Sequence, residues 1–294
     1  MGAAPPFIVT GTKAANKAPV MAGATGSPAW TGVLTQAVLD THAALTTTAH
    51  GGFKIGQATV ASASAIAAPT GGGVVLLTGT TAVNTMTGGA TGDVVTLVAS
   101  GQATGVPVVL NHATGADNLN LVGGHNLGIY AQVPADTAAS TGESVTFVKT
   151  ATHWQELTRD LRVVLDYQQI TANKSVTATT EAGADTVITA TAITFDGATP
   201  IEVEGFSMAT PAASTADASH VLYDGSSIGR FGYSYVPGAQ VYMTLSARRR
   251  LTPTNAAHTY SWRSWGSSGT GTVFAGVGGS GANMPAYLKV SRSI

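Results

Sequence analysis

The feature that most constrains this chain is a succession of short Val- and Leu-rich runs, each broken by Gly, Asn, Asp or Thr long before it could become a membrane span. Val74-Val75-Leu76-Leu77, Val94-Val95-Thr96-Leu97-Val98, residues 106–110, Leu119-Asn120-Leu121-Val122 and Val145-Thr146-Phe147-Val148 read as strands, closed by Trp154-Gln155-Glu156-Leu157-Thr158-Arg159. Several are apolar at every position, which suits strands covered on both faces by another sheet or another protomer. Residues 161–175 read as a connector, a short strand or a turn of helix. A second series follows over 186–195, 200–206, 220–223, 240–245, 258–265, 272–275 and 286–291, with turn dipeptides at Asp196-Gly197 and Asp224-Gly225. Strands this dense predict a C-terminal β-sandwich, jelly-roll-like, over 176–294.

The N-terminal part behaves differently. Residues 1–32 have no lasting periodicity and read as an extended attachment arm with Phe7 and Trp30 as lone aromatic anchors. Over 33–52, Leu34, Val38, Thr41, Leu45 and Thr48 recur at alternating spacings of four and three, the seam of a short helical coil ended by His50-Gly51-Gly52. So short a helix is marginal alone and is expected to form against copies of itself, and the spacing suits a dimer, trimer or pentamer. The expected organisation is therefore all-β: arm 1–32, coil 33–52, β-rich shaft 53–160, connector 161–175 and sandwich 176–294.

Charge narrows the function. Only 10% of the 294 residues are charged and the formal net charge is −1, which disfavours binding nucleic acid through its phosphates. Residues 1–140 carry only Lys13, Lys17, Lys54, Asp40, Asp93, Asp117 and Asp136. A surface so poor in charge suits contact with other copies or a larger assembly, because burying unpaired charge is costly; an exposed coat of Thr, Ser and Ala is the alternative. The absence of Cys excludes disulfides, thiolate metal sites and Cys nucleophiles. The start, Met1-Gly2-Ala3-Ala4-Pro5-Pro6, lacks the cationic and apolar regions of a secretory signal.

The chemistry-bearing patterns are sparse. Gly71-Gly72-Gly73 precedes a strand with no Gly-Lys-Ser/Thr, so no phosphate loop is expected. No Gly-x-Ser-x-Gly elbow is expected on a strand–helix junction, and no His-Glu-x-x-His occurs. Glu202 and Glu204 share a strand face as a glycosidase pair would, but their alternation with Ile201 and Val203 is that of a half-buried strand. His42 and His50 flank the coil and are weak candidates for a metal on a symmetry axis; polar caps or hydrogen bonds between protomers are the default. No catalytic residue and no cofactor is expected. Arg248-Arg249-Arg250 is the one basic run, read as a solvated strand end or as a grip for an acidic glycan or a neighbouring subunit's carboxylates. Strand parity turns Tyr242, Arg263, Trp265 and Tyr287 outward, as a sugar-stacking surface or a subunit interface.

Val83-Asn84-Thr85-Met86-Thr87, Gly92-Asp93-Val94-Val95-Thr96-Leu97, Leu110-Asn111-His112, Asn118-Leu119-Asn120-Leu121, Glu143-Ser144-Val145-Thr146-Phe147 and Trp154-Gln155-Glu156-Leu157 together resemble a module of bacteriophage tail and fibre proteins. His42-Ala43-Ala44-Leu45 through Ala49-His50-Gly51-Gly52 is similar to a segment of phage fibres, and Leu251-Thr252-Pro253 through Tyr287-Leu288-Lys289-Val290 to a C-terminal β-sandwich of phage structural proteins. The resemblance implies a non-enzymatic homotrimeric virion fibre or spike on the outer surface of the particle. Residues 1–32 would dock to other virion proteins and the sandwich would face host-surface polysaccharide, with no membrane insertion. It departs from long fibres in having one short coil, which favours a short projection. The alternatives are a capsid decoration protein that binds no receptor and a glycan-degrading tailspike with a parallel β-helix body.

Overall fold

A computed structural model describes residues 56–136, 142–210, 217–235, 243–266, 271–274 and 284–293. The arm and coil, with Phe7, Trp30, Leu34, Val38, Thr41, Leu45, Thr48, His42 and His50, lie outside the described residues, as does Tyr242. The described residues are all-β, with no helix among them.

The first ten strands are β1 (Gln57–Ala61), β2 (Ala65–Ala67), β3 (Gly73–Thr78), β4 (Thr85–Thr87), β5 (Val94–Ala99), β6 (Pro107–Leu110), β7 (Leu119–Asn120), β8 (Leu127–Tyr130), β9 (Ser144–Lys149) and β10 (Trp154–Asp160). Their pairing is not that of a meander. β1, β3 and β5 stack in parallel, with Gln57 beside Val74 and Gly73 beside Val95, while β2 and β4 stack in parallel on a second wall. The chain thus winds as a short solenoid, returning to the same edge one strand further along after each circuit. β9 and β10 close the first sheet antiparallel, in the order β1-β3-β5-β9-β10-β7. The parallel winding expected only of the tailspike alternative is therefore present, though over three strands rather than a long repeat.

Period-two alternation fills the solenoid. Val75 lies level with Leu97 and Leu77 with Ala99, Val95 and Leu97 oppose Phe147 and Val145, and all these side chains are buried. Each such Val, Leu or Phe side chain contributes roughly 1.5–3 kcal/mol by leaving water. Trp154 plugs the interior and donates its indole N–H to the Met86 carbonyl at 2.5 Å. The Gly71-Gly72-Gly73 turn has φ of 77°, 82° and 143°. A Cβ on Gly73 would collide with the Gly56 carbonyl of the adjacent strand start, so this tripeptide is structural, a turn that lets two backbones approach.

The remaining strands are β11 (Val164–Gln169), β12 (Lys174–Val176), β13 (Asp185–Thr189), β14 (Ile193–Thr194), β15 (Ile201–Thr210), β16 (Asp217–Asp224), β17 (Ser226–Tyr235), β18 (Met243–Leu251), β19 (Ala257–His258), β20 (Ser261–Trp265), β21 (Gly271–Val273) and β22 (Tyr287–Arg292). One antiparallel sheet runs β11-β22-β15-β21-β12 with β18 also paired to β15, and a second runs β13-β20-β16-β17. Ile201, Val203, Leu288 and Val290 from the first pack with Ile188, Leu222 and Trp262 from the second in one hydrophobic core, a β-sandwich. The 161–175 stretch contributes β11, an edge strand of the first sheet. The Asp196 carboxylate accepts the Ala198 and Thr199 N–H groups to close its turn, and Gly225, at φ 65°, turns β16 into β17.

The solenoid and sandwich are bonded together. Arg292, at the end of β22, reaches into the solenoid, where Nη1 and Nη2 donate to Glu143 at 2.5 and 2.9 Å and to the Arg162 and Gly128 carbonyls at 2.9 Å each. Glu143 also accepts the N–H groups of Tyr130 and Arg162. Around this pair the Gly128 N–H donates to Asp196, the Tyr130 hydroxyl to the Thr194 carbonyl, and the Thr194 N–H to the Gly105 carbonyl. Buried charge is tolerable here because every partner is supplied.

Candidate functional site

The residues with recognition chemistry fall on the two outer faces of the sandwich. β20 alternates Trp262, in the core, with Arg263 and Trp265 on the far side of its sheet. Trp265 does not stand free there, as strand parity alone led us to expect. It is 8% exposed, packed with Val221 and Ala184, and the Arg230 guanidinium lies 5.1 Å from its ring centroid. Arg230 in turn pairs with Glu181. Parity gives the face of a residue but not what the preceding loop lays over it, and residues 178–184 supply that cover. Arg263 lies flat over Tyr223, 3.6 Å from the ring centroid.

Tyr287 belongs to the other sheet, where Leu288 faces the core. It stands between Tyr167 and Phe206, with ring centroids 5.4 Å away on each side. The register explains the ladder, since β22 lies between β11 and β15 and puts Phe206 directly across from Tyr287. The Tyr287 hydroxyl donates to Glu204 at 2.6 Å, and burial followed by this carboxylate pushes its pKa up to about 12. Burial acts to raise Glu204, but Lys289 at 2.6 Å, the Tyr287 hydroxyl and Arg248 at 3.3 Å hold it below the ordinary range.

The structure therefore separates the four outward candidates. Arg263 and Trp265 lie on one outer face, Tyr287 on the opposite one, and Tyr242 outside the described residues. Tyr167 and Phe206, the ring partners of Tyr287, went unrecognised because no local spacing relates them. Glu202 and Glu204 do share a face, where Arg248 pairs with both and Lys289 with Glu204. Arg248 thus grips carboxylates of its own chain. Among the described residues no group of three or more His, Asp or Glu is placed to hold a metal, and no helix is long and apolar enough to cross a membrane.

No family model and no curated protein matches the chain. Among solved structures it has a likeness to chains of the infectious bursal disease virus Gx and Gt strains, at TM-score 0.22 for each and 14% and 13% identity. These matches cover 57% and 58% of this chain and 48% of the viral chain, so this chain spans about half the length it is compared with.

Proposed function

We propose that this chain is a non-enzymatic structural protein of a bacteriophage particle, a short homotrimeric projection docked through residues 1–32 and registered by the 33–52 coil. The observation that carries the reading is the bonded junction between solenoid and sandwich. Two β units locked by a buried ion pair and several backbone bonds form a stiff strut, which suits a part that holds its tip at a fixed orientation. The charge-poor solenoid and the resemblance to phage fibre modules support the same reading. The Tyr167–Tyr287–Phe206 ladder, rimmed by Lys289 and Arg248, is the best-placed surface for host glycan, because pyranose faces stack on aromatic rings.

A decoration subunit that binds no receptor is the second reading. It is favoured by the apolar side chains the solenoid leaves exposed, Val94, Val122 and Leu157, which a capsid shell would cover. Antibody labelling of intact particles by electron microscopy, with adsorption competed by the purified full-length chain, tests both. Label on the particle surface with blocked adsorption supports the projection. Label without competition supports decoration, and no label on intact particles overturns both.

A further inference from the structure

A cleft of about 420 Å³ opens beside the junction, between the two β units. Its walls come from His125, Leu127, Arg159 and Leu161 of the solenoid side and from Thr199, Pro200, Arg250, Arg292 and Ser293 of the sandwich. No carboxylate is among these lining residues; of the acids bonded to them, Glu156 and Glu143 are the partners of Arg159 and Arg292, and Asp196 accepts the Thr199 hydroxyl at 2.6 Å. Those two pairs are each neutral, and Asp196 is held by the N–H groups of Gly128, Ala198 and Thr199, which leaves the Arg250 guanidinium without a carboxylate partner of its own. Arg250 is exposed and has no ion pair among the described residues, because the carboxylate of Glu202, opposite it in the β15–β18 register, is engaged by Arg248 at 3.6 Å. Arg159 spends Nε and Nη2 on Glu156 and the Val122 carbonyl, and its Nη1 has no partner among the described residues.

The cleft thus offers the Arg250 guanidinium and the Arg159 Nη1 donor beside the apolar side chains of Leu127, Leu161 and Pro200, with Ser293 and Thr199 also in its lining, the Thr199 hydroxyl donating to Asp196 and so left as an acceptor. Its volume is that of a small-ligand site. We propose that it binds a carboxylated sugar unit, a uronic acid residue of an acidic polysaccharide. Arg250 and Arg159 take the carboxylate, Leu127, Leu161 and Pro200 take the pyranose face, and the Ser293 hydroxyl and the accepting Thr199 oxygen take ring hydroxyls. This site is separate from the Tyr287 ladder and rests on the virion reading only for the source of the glycan.

The test is calorimetric titration of the full chain with oligogalacturonate, with the neutral oligogalactose of the same length and with inorganic phosphate. Binding of oligogalacturonate alone is expected, weakened about tenfold or more in Arg250→Gln by loss of a charge-assisted bond. Ser293→Asp, which sets a carboxylate at the cleft margin, should abolish it, and both variants should melt as the parent does. Equal binding of the neutral oligomer, binding of phosphate as tight as that of oligogalacturonate, no binding, or an unchanged Arg250→Gln overturns the proposal. Failure of this binding in a chain that still assembles into particles overturns the cleft alone. A chain absent from particles overturns the virion reading.

Discussion

Arg292 and Glu143 meet in a two-pronged ion pair across 149 residues of chain, both residues buried, and the sandwich is tied to the solenoid by that contact. The pair is enclosed by backbone groups that satisfy the remaining donors and acceptors, so removing either partner strands a buried charge.

Arg292→Met or Glu143→Gln should therefore cost about 3–5 kcal/mol in urea unfolding. The double replacement Arg292→Met with Glu143→Leu should cost less than either single change, since no charge is then left buried.

His220 gives the fold an acid limit. It is fully buried, and its Nδ1 accepts the Trp262 indole N–H at 3.1 Å, which puts the proton of the neutral ring on Nε2. Burial lowers its pKa to about 3, against an unfolded value of about 6.5. The unfolded chain therefore takes up a proton as pH falls below about 6.5 while the folded chain does not, and stability present above that pH is lost on acidification. The slope from this group approaches about 1.4 kcal/mol per pH unit between pH 6 and 4. Urea unfolding at pH 7.0, 6.0 and 5.0 should show the decline, and His220→Gln should flatten it.

Trp265 stabilises the fold whether or not it meets a ligand. Trp265→Ala should lower stability by about 3 kcal/mol, because it empties the cluster with Val221 and Ala184. Thermal melting checks this, and an unchanged melting temperature would return Trp265 to the role of an exposed sugar-stacking ring.

Gly73 should tolerate no side chain. At φ 143° and against the Gly56 carbonyl, Gly73→Ala is expected to cost at least about 2 kcal/mol, read by urea unfolding. Gly88, also at positive φ but with open space around it, should lose less on the same change.

Much of the strand content was legible in the sequence because β-branched runs and alternation report local burial; β3, β5, β6, β9 and β22 lie where Val and Leu cluster. The strand β17 was missed. Its sequence Ser-Ser-Ile-Gly-Arg-Phe-Gly-Tyr-Ser-Tyr is broken by two glycines and has no regular apolar alternation, and it is an edge strand paired to β16. Parallel stacking of β1, β3 and β5 was equally hidden, since which strand lies alongside which is a property of the turns between them. The basic run is exposed and sits at the end of β18, as a solvated strand end would. What the sequence did not show is its partner strand, since the β15 register sets Arg248 across from Glu204 and Arg250 across from Glu202. The same non-locality hid the Tyr167–Tyr287–Phe206 ladder and the Arg292–Glu143 pair, whose members come from separate parts of the chain.

The measurement closest to the central proposal is the solution mass of the full-length chain by light scattering, alongside a variant lacking residues 33–52. A mass near three times 29.4 kDa, falling to that of one chain in the deletion, is the predicted result for a coil-registered trimeric projection. A stable full-length monomer would contradict it.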